Sequence, residues 1–158
     1  MAKKGFTLIE LLVVIAVLGI LSAVVLVAIN PAERLRSARD AGAKNSIGQI
    51  ATALEAYFTA NNGTYPPYIA TNTYLGLEAL TSGEFLKNLP TPPSGSSSTD
   101  TVFQYRAYQD TGASTACTST SDTCVMARVW YTLESSSATG EWCYDTEVGQ
   151  AKDVANCD

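Results

Sequence analysis

The chain has 158 residues, a formal net charge of −5 at pH 7, four cysteines and no histidine. The absence of histidine removes the commonest general base and the commonest metal ligand. The sequence also contains no glycine-rich phosphate loop, no serine paired with a base and no metal-ligand cluster. We therefore predict a protein that is not an enzyme and that needs neither a cofactor nor a metal.

Charge is distributed unevenly along the chain. From Glu55 onward there are twelve acidic and four basic residues, which makes a net charge of −8. A surface of this sign repels phosphate backbones, so no direct nucleic-acid binding is expected.

The first thirty residues combine a short leader, residues 1–5, with a long apolar run. Residues 6–29 read FTLIELLVVIAVLGILSAVVLVAI, and as a helix these 24 residues would extend about 36 Å, enough to cross the hydrocarbon layer of a membrane. We predict a membrane-spanning helix over residues 6–30. Lys3 and Lys4 border the run and would hold that end inside the cell.

Glu10 places a carboxylate inside this apolar run. A single carboxylate at membrane depth costs roughly 2–4 kcal/mol even on the lenient insertion scales, and a simple anchor would gain by placing leucine there. We therefore expect Glu10 to have a partner. The alternative is an interfacial glutamate near the helix start, stabilised by the helix dipole.

A second, amphipathic helix is predicted over residues 31–62. Pro31 has no backbone N–H to donate, and its ring clashes with the backbone one turn earlier, which predicts a kink or break in the helix. The alternative is that Asn30 caps a new helix and Pro31 is its first residue. Both alternatives place the helix break at Pro31. An apolar stripe at three- and four-residue steps predicts a face that covers a sheet, and Asn61-Asn62-Gly63 predicts the end of the helix. The stripe consists of Ile47, Ile50, Leu54, Tyr57 and Phe58.

The remainder of the chain, residues 63–158, is predicted to complete a globular part. Residues 63–100 form a variable loop, with a helical turn or two in YLGLEALTSGEFL and no regular structure in LPTPPSGSSSTD. Residues 101–158 carry strand patterns in TVFQYRAYQ, CVMARVWYTL and EWCYDTE, and their short links predict an antiparallel meander. The side of the first strand that carries Phe103 and Tyr105 is expected to face the core. The predicted fold class is α+β.

All four cysteines lie in the last third of the chain, at Cys117, Cys124, Cys143 and Cys157. Their spacing fits no zinc site, and an even count beyond a membrane segment predicts disulfides in an oxidising compartment. Four cysteines allow three pairings. We favour Cys117–Cys124, across the loop between the first two strands, and Cys143–Cys157, between the last predicted strand and the tail.

The N-terminus resembles that of type IV pilins and of their secretion-system relatives, the pseudopilins. The resemblance rests on Lys3-Lys4-Gly5, then Phe6-Thr7-Leu8-Ile9-Glu10, then the long apolar helix. It implies that a prepilin peptidase cuts between Gly5 and Phe6 and that the new amine, on Phe6, is methylated. It also implies a partner for Glu10, whose carboxylate meets the Phe6 amine of a neighbouring subunit in the filament.

The same resemblance implies an architecture of a long N-terminal helix in two halves, a variable loop and a small antiparallel sheet. The implied precursor lies in the inner membrane, with its N-terminus in the cytoplasm and its globular part outside. The implied partners are the prepilin peptidase, the inner-membrane assembly machinery and further copies of the chain in an extracellular filament.

Three features depart from the family pattern. Many type IV pilins have a proline near the position of Val27, whereas this chain has Pro31, which would displace any melted segment. A typical pilin has one C-terminal disulfide loop, and this chain has four cysteines. Major pseudopilins of type II secretion tend to carry a calcium-binding acidic loop, but the acids of CYDTEVGQAKDVANCD fit no tight calcium loop and are interpreted as a solvated tail.

We interpret the chain as a subunit of a type IV pilus that polymerises through its N-terminal helix. The alternatives are a pseudopilin of a type II secretion-like or DNA-uptake apparatus and a minor tip pilin that acts as an adhesin. Glu10 distinguishes these filament subunits from a membrane-tethered binding protein, because an anchor needs no buried carboxylate. The role in adhesion, motility, DNA uptake or secretion depends on the variable loops and the assembly motors.

Overall fold

The computed structural model describes residues 5–68, 75–93, 102–138 and 140–157. Predictions made for Lys3, Lys4, the serine-rich stretch 94–100 and Asp158 lie outside these residues. The chain divides into two compact units, Met1–Leu35 and Arg36–Asp158.

Within the described residues there are three helices and four strands, which confirms the α+β class. The helices are α1 (Leu8–Ile29), α2 (Pro31–Ala60) and α3 (Leu75–Ser82). The strands are β1 (Gln104–Tyr108), β2 (Met126–Thr132), β3 (Glu141–Asp145) and β4 (Gln150–Val154).

The first two helices are separated at Asn30. This residue adopts the left-handed conformation, with φ 45° and ψ 75°, and its carbonyl accepts the backbone N–H groups of Glu33 and Arg34 at 3.1 and 3.3 Å. Pro31 is the first residue of α2, where a backbone N–H would have no intrahelical acceptor in any case. The structure therefore shows one helix ending and another beginning, with Pro31 in the first turn of the second.

Helix α2 packs its apolar stripe into the main core, as predicted. Ile47, Ile50 and Leu54 are fully buried, and Tyr57 and Phe58 pack at the edge of the same cluster. Full burial of an aliphatic side chain stabilises a fold by roughly 1.5–3 kcal/mol, so this stripe is a main source of cohesion between helix and sheet.

The helix ends at Ala60, two residues before the predicted boundary. Asn62 is left-handed, with φ 56°, and the N–H of Gly63 donates to the carbonyl of Phe58 at 2.9 Å. A bond of this span over a left-handed residue is a common way to satisfy the last carbonyls of a helix. The Asn-Asn-Gly sequence thus ends the helix as its composition predicts.

The sheet is an antiparallel meander in the order β1-β2-β3-β4. Its register places Tyr105 opposite Val129 and Val129 opposite Tyr144, so these residues share one face, which packs in the main core with α2. Phe103 and Tyr105 are at most 1% exposed, which confirms that the aromatic side of β1 faces inward. Helix α3 lies in the stretch where helical turns were predicted and adds buried leucines to the same core.

The C-terminal stretch is only in part the solvated acidic tail that we predicted, because Glu147 and Asp153 are exposed but Asp145 is not. Most of it forms the β3–β4 hairpin, and Asp145 at the end of β3 is only 8% exposed. The Asp145 carboxylate pairs with Arg128 at 2.9 Å and accepts the N–H of Glu147 in the hairpin turn. Strand β4 was not predicted because its sequence, QAKDV, shows no apolar alternation, in keeping with its largely exposed position.

A buried carboxylate fastens α2 to the loop between β2 and β3. Asp40, only 4% exposed, accepts the backbone N–H groups of Glu134 and Ser135, each at 2.9 Å. Beside it, the guanidinium of Arg39 pairs with the carboxylate of Glu134 at 2.8 Å. Because these contacts link residues about 95 positions apart, they contribute to the position of the loop on the helix.

A second polar contact lies further along α2. Oε1 of Glu55 accepts the hydroxyl groups of Tyr65 and Tyr144, at 3.2 and 3.1 Å. Burial, and next the charge of Glu55, raise the pKa of the Tyr144 hydroxyl to about 12. Burial is also the largest cause that raises the pKa of Tyr65 to about 12. Both hydroxyls therefore stay protonated and act as donors at neutral pH.

Candidate processing and assembly site

Helix α1 begins with a capping box formed by Thr7 and Glu10. Thr7 has extended backbone angles, φ −80° and ψ 152°, and its hydroxyl oxygen accepts the N–H of Glu10 at 3.3 Å. In return, Oε2 of Glu10 accepts the backbone N–H of Thr7 at 2.9 Å and the Thr7 hydroxyl at 2.7 Å. The helix begins at Leu8 because these N–H groups, which lack intrahelical acceptors, are satisfied reciprocally.

The bond between Gly5 and Phe6 lies in a non-helical segment just before α1. The Phe6 side chain is 88% exposed. A Cβ placed on Gly5 would meet no atom within 4 Å in this chain. A requirement for glycine at this position would therefore come from an enzyme that handles the segment and not from the fold of the subunit.

Beyond its first turn, helix α1 has an exposed surface that is apolar except for Ser22. None of its residues is buried, and Leu8–Ile29 is long and apolar enough, by length and composition, to cross a membrane. The hydroxyl of Ser22 donates to the carbonyl of Leu18 at 2.8 Å, so this polar group is satisfied within the helix. Such a surface is stable in lipid or against other apolar helices, but not in water.

The structure gives Glu10 a local partner that our sequence analysis missed. Glu10 is joined to Thr7 by the capping box, in keeping with the alternative of a glutamate near the helix start. The signal was present in the sequence, since a threonine followed three residues later by a glutamate has capping-box spacing. Pairing of Glu10 with the Phe6 amine of another subunit remains a prediction.

The four cysteines form two disulfides, and the pairing is the one favoured from the sequence. Cys117 and Cys124 close the connection between β1 and β2, with their Cα atoms 5.9 Å apart. Cys143 on β3 is joined to Cys157 beyond β4, with their Cα atoms 5.7 Å apart. Both separations are ordinary for disulfides. The second bridge ties the C-terminal segment back onto the sheet.

The described residues contain no group of three or more histidine, cysteine or acidic side chains placed to hold a metal. Of the acids considered as calcium ligands, Asp145 is paired with Arg128, and Glu147 lies in the hairpin turn. Arg128 and Asp145 instead join neighbouring strands across the sheet.

Comparison with known proteins adds to this picture of the N-terminal segment. Residues 1–26 match a family model described as the prokaryotic N-terminal methylation motif. Type II secretion system core protein G of Pseudomonas aeruginosa is 37% identical over an alignment of length 106, and the match covers 59% of this chain and 69% of that protein. Fimbrial protein EcpC of Eikenella corrodens is 32% identical over 93 residues, which cover 59% of this chain and 57% of that protein. No solved structure matches the chain significantly.

The family model matches the N-terminal segment described above, and the similarity to known proteins extends beyond that segment. The methylation motif includes the Gly5–Phe6 bond, Glu10 and most of α1. The similarity to core protein G covers 59% of this chain, a longer stretch than α1 and α2 together, and so reaches into the globular part. The chain belongs to the type IV pilin and pseudopilin family.

Proposed function

We propose that this chain is a structural subunit of a type IV pilus, polymerising through helix α1 into a surface filament. The observation that carries the proposal is the fully exposed apolar helix with a single carboxylate in its first turn. An anchor would be stable in lipid without that charge, whereas a bundle of such helices can use it to set the register between subunits. The second unit, Arg36–Asp158, then lies on the outside of the filament.

The proposed route begins with processing. Cleavage by a prepilin peptidase between Gly5 and Phe6 releases residues 1–5 and creates a positive amine on Phe6, which is then methylated. In the filament that amine meets the carboxylate of Glu10 on a neighbouring subunit. Neither charge is favourable alone in an apolar bundle, so burying them together offsets part of both desolvation penalties. Only one stagger between neighbouring helices brings the two groups together.

The proposed location changes during this route. The precursor lies in the inner membrane with its N-terminus in the cytoplasm and its globular part outside, where the assembly machinery takes it up. Two disulfides in the globular part are consistent with an oxidising compartment. The mature subunit ends in an extracellular filament. The proposal includes no enzymatic activity.

A second candidate function is that of a pseudopilin in a type II secretion-like apparatus. The observation that favours it is the 37% identity to core protein G of the type II secretion system. The observation that favours a pilus is the Cys143–Cys157 bridge, because the family resemblance implies a C-terminal disulfide loop in pilins and a calcium-binding acidic loop in major pseudopilins. We therefore place the pilus first.

The two candidates are separated by comparing surface filaments with protein secretion. Filaments sheared from cells are analysed by mass spectrometry, and the secreted proteins of a strain that lacks the chain are compared with those of the parent. A pilus subunit is abundant in the filaments, and its deletion leaves the secreted proteins unchanged. A chain absent from the filaments, whose deletion retains secreted proteins inside the cell, is a pseudopilin.

A further inference from the structure

A small polar cavity lies on the face of the sheet opposite to the main core. Its volume is about 160 Å³, and both cysteines of the Cys143–Cys157 bridge line it. Arg128 and Lys152 line the same cavity. Asp145 lines it as well and pairs with Arg128 at 2.9 Å, so the disulfide borders a cavity with two cationic side chains and one carboxylate.

The sheet register brings Lys152 next to the bridge. Lys152 on β4 is the direct cross-strand partner of Cys143 on β3. Residues opposite each other on antiparallel strands have their Cβ atoms about 4.5–5.5 Å apart, so the lysine stem and the Cys143 sulfur share one patch of the sheet. Nη1 of Arg128 donates to the carbonyl of Cys157 at 3.2 Å, which holds a second cation beside the other end of the bridge.

The other disulfide has different surroundings. Cys117 and Cys124 are both 0% exposed and belong to the main core, whereas Cys143 and Cys157 are each 4% exposed and border the cavity. The backbone N–H groups of Tyr65 and Tyr68 donate to the carbonyls of Cys124 and Cys117, each at 2.8 Å, so the chain around these tyrosines runs alongside the bridge. A reagent in solution would have to displace that segment to reach the sulfurs.

We propose that Cys143–Cys157 is a site of thiol–disulfide exchange with an external dithiol, while Cys117–Cys124 is protected from it. Positive side chains stabilise a thiolate and lower the pKa of its thiol, and a thiol of lower pKa is a better leaving group. The charge of Lys152 therefore favours departure of Cys143 as a thiolate. Attack falls on the sulfur of Cys157, which lies beyond β4 and therefore outside the paired strands.

The exchange proceeds in two balanced steps. A thiolate of the dithiol attacks the Cys157 sulfur, the bond to Cys143 breaks, and Cys143 leaves as a thiolate that takes a proton from water. The second thiol of the reagent, as its thiolate, then attacks the mixed disulfide, releasing Cys157 and closing the reagent into a disulfide. Two electrons pass from the dithiol to the protein bridge, and the reverse sequence closes the bridge during maturation.

Opening the bridge would release the segment after β4. Residue 157 is held by the disulfide, by Arg128, and by its own N–H, which donates to Glu141 at 2.7 Å. Trp130, 7% exposed, packs in a small cluster with Cys143 and Cys157. Exchange at this bridge therefore uncovers Trp130 while leaving the main core in place.

The test uses the full-length chain in detergent and dithiothreitol as the dithiol. Samples taken during reduction are alkylated, and mass spectrometry follows each cysteine pair while circular dichroism follows the fold. We expect Cys143–Cys157 to open at least tenfold faster than Cys117–Cys124, with the secondary structure retained and the tryptophan fluorescence shifted to the red. Simultaneous opening of both bridges, or earlier opening of Cys117–Cys124, would overturn the proposal.

A matched pair of variants tests the role of charge. Lys152→Gln should slow opening of the C-terminal bridge about threefold at low salt, with a smaller effect at high salt, as expected for an exposed charge. Lys87→Gln removes an exposed lysine on another surface and should leave the rate unchanged. With glutathione as the trapping thiol, the mixed disulfide should form on Cys157. Equal rates in the two variants, or trapping on Cys143, would contradict the assigned direction of attack.

Discussion

The hydroxyl of Thr7 donates to Oε2 of Glu10 at 2.7 Å, and the backbone N–H of Thr7 donates to the same oxygen at 2.9 Å. This contact turns the carboxylate back toward the helix start, the end at which cleavage after Gly5 would create the amine of Phe6. A carboxylate has roughly four acceptor positions on its two oxygens. Capping its own helix therefore leaves Glu10 able to accept a further bond from the amine of a neighbouring subunit.

Glu10→Ala tests the proposed pairing in the filament. The precursor should enter the membrane at least as well as the parent, because a charge is removed from an apolar segment. Cleavage after Gly5 should persist, since the peptidase acts before a filament exists. Filament yield should fall roughly tenfold or more, as each incoming Phe6 amine would lack its partner. The measurement is the amount of sheared filament relative to mature subunit in the membrane.

Two further variants separate charge from helix capping. Glu10→Gln keeps the shape and some hydrogen bonding and should assemble better than the alanine variant but less well than the parent. Thr7→Ala removes the capping hydroxyl and keeps the carboxylate, so it should assemble nearly normally. Normal filaments from Glu10→Ala, or an equal defect in Thr7→Ala, would show that the carboxylate acts only at the start of its own helix.

Substitution of Gly5 by a bulky residue tests processing. A Cβ at this position meets nothing in the chain, so Gly5→Leu should leave the fold unchanged and block only the peptidase, and uncleaved precursor should accumulate in the membrane. Gly19→Ala is a matched control, because a Cβ there also meets nothing within 4 Å and the site lies outside the cleaved segment. Intact-mass analysis of parent filaments should show Phe6 as the first residue, with one methyl group added. Subunits that begin at Met1 would refute this route.

Asp40→Ala tests the contact between α2 and the loop after β2. The change leaves the N–H groups of Glu134 and Ser135 without their acceptor, and we expect a loss of about 1–3 kcal/mol in the free energy of unfolding. Asp122→Ala is a matched control, because Asp122 also accepts two backbone N–H groups but within an exposed loop. Urea unfolding followed by tryptophan fluorescence measures both. An equal loss in the two variants would mean that burial of Asp40 adds nothing.

The tyrosine pair around Glu55 predicts a stability change at high pH. The pKa values of Tyr65 and Tyr144 are about 12 in the fold against 10 when unperturbed, so the folded chain holds protons that the unfolded chain releases between these values. Their contribution to stability is complete below pH 10 and is lost as the pH rises toward 12. The ultraviolet absorbance of tyrosinate should show late-titrating hydroxyls, which Tyr65→Phe with Tyr144→Phe removes. An unchanged titration in the double variant would contradict the assignment.

The features that the sequence determines by itself depend on residues that lie close together in the chain. The apolar composition of α1 requires lipid or other helices around it, and the left-handed Asn62 ends α2 where an Asn-Asn-Gly sequence predicts an end. The alternation in β1 assigns Phe103 and Tyr105 to the core. Each of these features is set within one or two turns of helix or a few residues of strand, so a local pattern is sufficient to predict it.

Only the tertiary structure decided which distant groups meet. Strand β4 has no apolar pattern and exists because β3 offers it a pairing edge, which in turn places Lys152 opposite Cys143. In the sequence, Asp40 is an ordinary polar residue on a predicted helix. In the fold, the loop after β2 brings two backbone N–H groups to it from residues 94 and 95 positions away. Strand register and helix packing determine such contacts, and neither is encoded in the residues adjacent to the contact.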